Sequence, residues 1–126
     1  MANAATITDS GLTIAGVARI VHEANRALQT ELDDPTIPTS PSWDVLDDET
    51  KASAITGVIG ALDGNTPEEA HRLWLEGKVR DGWTRGPAKD LAKKEHPLLV
   101  SYDELDDAAR LKDALFVAAA RAAAGL

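Results

Sequence analysis

The chain has 126 residues, 13 Lys+Arg against 21 Asp+Glu, and a formal net charge of −8. That length predicts one domain around one modest core, and an acidic balance spread along the chain excludes a duplex-nucleic-acid binder, which needs clustered cations to neutralise phosphates. The absence of cysteine excludes disulfides, thiolate metal sites and a Cys nucleophile and points to a reducing, cytoplasmic setting, and no apolar run is long enough for a membrane span or a signal peptide.

Residues 1–12 carry no periodic pattern and are expected to be a flexible lead into a single domain over 13–124. Ile14, Val17, Ala18, Val21, Ala24 and Leu28 recur at helical spacing opposite Arg19, Glu23 and Arg26, which predicts an amphipathic helix over roughly 13–32. A Pro-rich arm follows at 33–42, where Pro35, Pro38 and Pro41 remove backbone donors and impose extended chain. The arm is expected to face solvent, free to reach a neighbouring molecule. Asp47 is placed to cap a second helix through about Leu62, with Ala52, Ile55, Val58, Ile59 and Leu62 on its apolar side.

Thr66-Pro67-Glu68-Glu69 is a stronger start signal, combining a hydroxyl cap, proline in the first turn and the Glu of a capping box. The third helix is expected to run to about Asp81, with Gly82 taking the left-handed position after its end. Between Gly82 and Ser101 the helical period vanishes, and two short extended segments are expected to pair. Ser101 or Asp106 then caps a last helix with Leu111, Leu115, Ala118, Ala119 and Ala122 as its buried stripe. The predicted fold is mainly α: a compact bundle of about four helices with a short two-stranded β-hairpin between helices three and four.

Charge is unevenly divided. From His71 to His96 there are seven Lys/Arg against four acids, a local +3, so the remainder sums to −11. This basic island also holds Trp74, Trp83, His71 and His96, which supply what an anionic aromatic ligand needs: cations for phosphate, indole faces for a base, imidazoles for orientation. The alternative makes both tryptophans core residues and the lysines solvated loop residues.

Other chemistry finds less support. His22-Glu23 begins like a zinc-helix motif, but the residue one turn on is Arg26. His22 and Arg26 share a face, suited to a hydrogen bond with a neighbouring element or to an anion. His22, His71 and His96 are separated by 49 and 25 residues, a spacing that demands no metal. No serine sits in a nucleophile elbow, no phosphate loop or dinucleotide fingerprint occurs, and Asp33-Asp34, Asp47-Asp48 and Asp106-Asp107 sit where caps are needed. No enzyme, cofactor or metal is expected.

The stretch His71-x-x-Trp74-x-x-x-Lys78-x-x-Gly82-Trp83-x-x-Gly86-Pro87-x-Lys89-Asp90, followed by Lys94-x-His96-Pro97-x-Leu99-Val100-x-Tyr102-Asp103-Glu104-Leu105, resembles the RyR domain, the ryanodine receptor repeat also found free-standing in bacteria and phages. Ala18-Arg19-x-x-His22-Glu23-x-Asn25-Arg26 and Trp43-x-x-Leu46 with Lys51 and Gly57-Val58 extend the likeness over roughly 15–120. Family members often carry an aromatic residue at the position of Arg85, Ser at that of Ala70 and Pro at that of Ser101. The resemblance implies a mainly helical domain that senses or binds nucleotide-derived small molecules in a bacterial cell. The candidate ligand-binding set is His22, Arg26, His71, Trp74, Lys78, Trp83, Arg85, Lys89 and Tyr102. The alternative is a protein-interaction or assembly module acting through residues 33–42 or the C-terminal helix.

Overall fold

Four N-caps set the four helices in the computed structural model, which describes residues 1–126. In α1 (Ile14–Leu32) the Thr13 hydroxyl accepts the Gly16 N–H at 3.0 Å. Asp47 caps α2 (Asp48–Leu62) through the Thr50 N–H. α3 (Pro67–Arg80) opens on a complete capping box, Thr66 and Glu69 each accepting the other's backbone N–H. Asp106, not Ser101, caps α4 (Asp107–Ala123), accepting the Ala109 N–H at 2.8 Å. Each such cap stabilises its helix by about 1 kcal/mol, because it satisfies a backbone donor that the first turn leaves unpaired.

The core lies where α1, α2 and α4 meet. Val17 and Val58 are fully buried at its centre, among Ile14, Ala18, Val21, Ala61, Val117, Ala120 and Ala124. These are small side chains, which let the helices approach closely; Gly57 lies directly against the Phe116 ring. α3 packs on α4 and α2. At its end Gly82 takes φ +91°, its N–H bonds to the Val79 carbonyl, and the Trp83 N–H bonds to that of Lys78 at 2.9 Å. This Schellman closure turns the chain back and brings Trp83 against the last turn of α3.

The fold class is the expected one, with two corrections of detail. The strands β1 (Thr84–Arg85) and β2 (Glu95–His96) are parallel, pairing Thr84 with Glu95 and Arg85 with His96, and do not form a hairpin. The chain reverses twice between them: once on leaving β1, and again where Asp90 and Glu95 exchange backbone hydrogen bonds around Lys94, which sits at φ +53°. Two reversals restore the original direction. The second correction is to α4. Its buried side is Ala109, Val117, Ala120 and Ala124, whereas Leu111, Leu115, Ala118 and Ala122 are exposed on the opposite face. This helix is apolar around most of its circumference, so its period contains no sign of which side is inward.

The N-terminal lead and the Pro-rich arm are both tied down. Within the lead expected to be flexible, the Ile14 N–H bonds to Thr6 O, and Ser10 donates from its backbone to Ala124 O at 3.0 Å and from its hydroxyl to Ala123 O at 2.5 Å. These satisfy carbonyls that the end of α4 leaves open. The Pro-rich arm, expected to reach outward, is docked on its own chain: Ile37 is buried, and the Lys89 N–H bonds to Thr36 O at 2.8 Å.

Candidate functional site

The nine candidate residues separate into three groups. His22 and Arg26 hold the arm. One turn apart on α1, His22 Nε2 donates to the Pro41 carbonyl at 2.8 Å and Arg26 Nε to that of Ser40 at 2.9 Å. Gln29, buried on the same helix, accepts the Ser40 N–H at 2.8 Å. Glu23 links the set, accepting from Arg26 at 2.6 Å and from the Trp43 backbone N–H at 3.0 Å. The Trp43 N–H, and after it the Arg26 guanidinium, hold the Glu23 carboxyl below its usual range. The extended backbone that the prolines impose exposes these carbonyls and amides, and α1 supplies their partners.

The second group gathers where α3, β2 and the turn before α4 meet. His71, Trp74, His96 and Tyr102 form a chain of rings, with centroid separations of 5.5 Å from His71 to Trp74, 5.1 Å from Trp74 to His96, and 6.2 Å from His71 to Tyr102. His71 and His96 are buried and Trp74 and Tyr102 half-buried. His71 Nε2 donates to the Val100 carbonyl at 2.7 Å, while its Nδ1 lies 3.7 Å from the Asp113 carboxylate. Burial raises the Asp113 carboxyl above its ordinary range, against the attraction of His71 and Lys112.

His96 is the most perturbed imidazole of the molecule. Burial first, and then the charges of Lys89, Lys78 and Lys112, lower the His96 imidazole to about 4. Lys89 is half-buried, and its ammonium is itself lowered, first by desolvation and then by Lys78; Asp47 acts in the opposite sense. Lys78 lies over the ring of Trp83, 4.7 Å from the centroid. The ion pairs of the molecule are Arg19–Asp44, Arg26–Glu23, His71–Asp113 and Arg72–Glu76, so Lys78, Lys89 and Lys112 have no carboxylate within 4.0 Å. Lys112 lies on α4, outside the basic island read from the sequence.

Trp83 and Arg85 stand apart from these residues. Trp83 is buried, and the Lys78 ammonium occupies its face, so stacking a ligand on that ring requires Lys78 to move. Arg85 is exposed on β1 and lines, with Gly86, Pro87 and Pro97, an open depression of about 390 Å³. A second depression, of about 170 Å³, lies between the N-terminal residues and the end of α4. Neither is lined by the lysines. The three histidines do not meet at one point, and no three metal-ligating side chains come together. No helix is long and apolar enough to cross a membrane.

A four-helix domain with a parallel strand pair inserted between its last two helices defines the class of protein. The RyR domain family model matches residues 48–119, more than half of the chain, and the chain belongs to that family. The matched span holds α2, α3, the strand pair and most of α4; α1 and the docked arm precede it. No solved structure matches the chain.

Proposed function

We propose that this chain is a non-enzymatic binding module for an anionic, nucleotide-derived small molecule, acting in the cytoplasm as a sensor or by sequestering its ligand. The observation that carries this reading is the ring cluster of His71, Trp74, His96 and Tyr102, the first two on the same helix as Lys78, with Lys78, Lys89 and Lys112 having no carboxylate within ion-pair distance. An unpaired, partly desolvated ammonium is unfavourable in the free protein, and a phosphate oxygen relieves it. The half-buried Trp74 and Tyr102 in this cluster offer ring surface to a base.

A thermal-shift screen against NAD, ADP-ribose and cyclic mono- and dinucleotides, read together with tryptophan fluorescence, tests this reading. A ligand at 100 times its Kd stabilises the fold by about 2.7 kcal/mol, a rise of several degrees in Tm at this size. Lys89→Ala is expected to weaken the response with helical content intact; a flat screen overturns the proposal. One observation favours assembly instead: Leu111 and Leu115 are about half exposed on the outer face of α4. If that face pairs two copies, light scattering gives a dimer and Leu115→Glu returns a monomer.

A further inference from the structure

The outer side of α4 is apolar yet uncovered. Leu111 and Leu115 are 52% and 47% exposed there, in line with exposed Ala118 and Ala122. The spacing along this line is four, three and four residues, the alternation with which a helix presents one continuous seam to a partner helix. At sevenfold spacing the seam is flanked by Asp107, Ala114 and Arg121 on one side and by Lys112 and Ala119 on the other. Charge is divided between its ends. Asp103, Glu104, Asp106 and Asp107 stand in or just before the first turn of α4, and Arg121 stands in its last turn. Neither Asp107 nor Arg121 has an ion-pair partner in the chain. Arg121 gives one guanidinium nitrogen to the Ala61 carbonyl at 3.2 Å, which leaves its other donors free.

We infer that this seam pairs with the same seam of a second copy, antiparallel about a twofold axis near residue 113. Leu111 then meets Leu115 of the partner subunit on either side of the axis, and Asp107 comes within reach of Arg121 of the partner subunit at each end. This rests on the reading of the outer face of α4 as an assembly surface and adds the orientation and the charge register. Parallel pairing sets Asp107 against its own copy and Arg121 likewise, and aligns the two helix dipoles, so both electrostatic contributions oppose it. On the other flank the two copies of Lys112 face each other across the axis, the one opposed contact. A single helix pair buries less than the roughly 800 Å² per partner of a standard interface, so the dimer is expected to be weak, with Kd about 10–100 μM.

The test is sedimentation velocity of the intact chain across that concentration range, joined to one distance measurement. Leu115→Glu is expected to raise Kd at least about tenfold, and Asp107→Arg about fivefold; the swap Asp107→Arg with Arg121→Asp should restore association, and Lys112→Ala should tighten it, all with helical circular dichroism retained. Because the chain has no cysteine, Ala122→Cys carries a single nitroxide on the exposed face. At about 1.5 Å of rise per residue, antiparallel pairing separates the two labelled backbones by about 27 Å, whereas parallel pairing brings them to about 10 Å. Labels about 10 Å apart in a dimer that Leu115→Glu dissolves would overturn this inference and leave the assembly reading standing. A dimer indifferent to Leu115→Glu, or a monomer at every concentration, would overturn both.

Discussion

Two parts of this molecule use the same residue types to opposite ends. On α1, His22, Arg26, Glu23 and Gln29 each meet a partner in the arm or its flank, so donors and acceptors are matched within the chain. Elsewhere, Lys78, Lys89 and Lys112 have no carboxylate within ion-pair distance, and the Nε2 of His96 has no acceptor within the chain. Histidine and a nearby cation look alike in a sequence. What separates a clip from a binding surface is whether the polar atoms are already satisfied, because a group left short in a half-buried place retains free energy for something outside.

The largest expected effect lies in acid. The His96 imidazole is lowered to about 4 in the fold, chiefly by burial, and returns to about 6.5 when unfolded. The unfolded chain therefore binds that proton first. The contribution of neutral His96 to stability is complete above about pH 6.5 and is lost as pH falls from there through about 4, amounting to about 3 kcal/mol at 1.36 kcal/mol per pH unit. Urea unfolding at pH 7 and pH 4 should show that extra loss in the wild type relative to His96→Gln; matching losses in the two proteins would mean that the ring is not kept neutral.

Next comes the clip. Arg26→Ala removes charge-assisted bonds to Ser40 O and Glu23, and should lower unfolding free energy by about 2 kcal/mol, with Tm down several degrees by calorimetry. The cluster should respond with the opposite sign: Lys89→Met keeps the buried stem, removes a repelled ammonium, and should raise stability by roughly 0.5–1 kcal/mol, less in high salt. A destabilised Lys89→Met would erase the contrast between the two regions. The smallest effect belongs to Arg85→Ala, exposed and without an intramolecular partner, where calorimetry should find a change within about 0.5 kcal/mol.

Much of the scaffold was legible because helix boundaries are local chemistry. The caps at Asp47 and Thr66 and the turn at Gly82 involve residues within a few positions of one another, and each appears where side-chain type demanded it. What failed to show was decided at longer range. α4 has aliphatic side chains on both faces, so only its neighbours determine that Val117 goes inward and Leu115 outward. The direction of β2 depends on the second reversal at Asp90–Glu95. In the candidate site, His71, Trp74, Lys78, Lys89 and Tyr102 were readable from one stretch of mixed charge and aromaticity. Lys112 was not, since it lies on α4, far along the chain from that stretch. For His22 and Arg26 the sequence offered a hydrogen bond to a neighbouring element or an anion, and only the fold shows that backbone carbonyls of the arm are their partners.

Gly86 has no functional group, yet the cluster depends on it. A Cβ at this position would stand 2.6 Å from the Glu95 Cβ and 2.9 Å from its Cδ, closer than nonbonded carbons approach, and Glu95 begins the strand that carries His96. A single methyl group would therefore act as a wedge, parting the strand pair and shifting the imidazole relative to the lysines while every charge stayed in place. Gly86→Ala is a way to detune the site mechanically, and it separates how much of its behaviour comes from composition and how much from alignment.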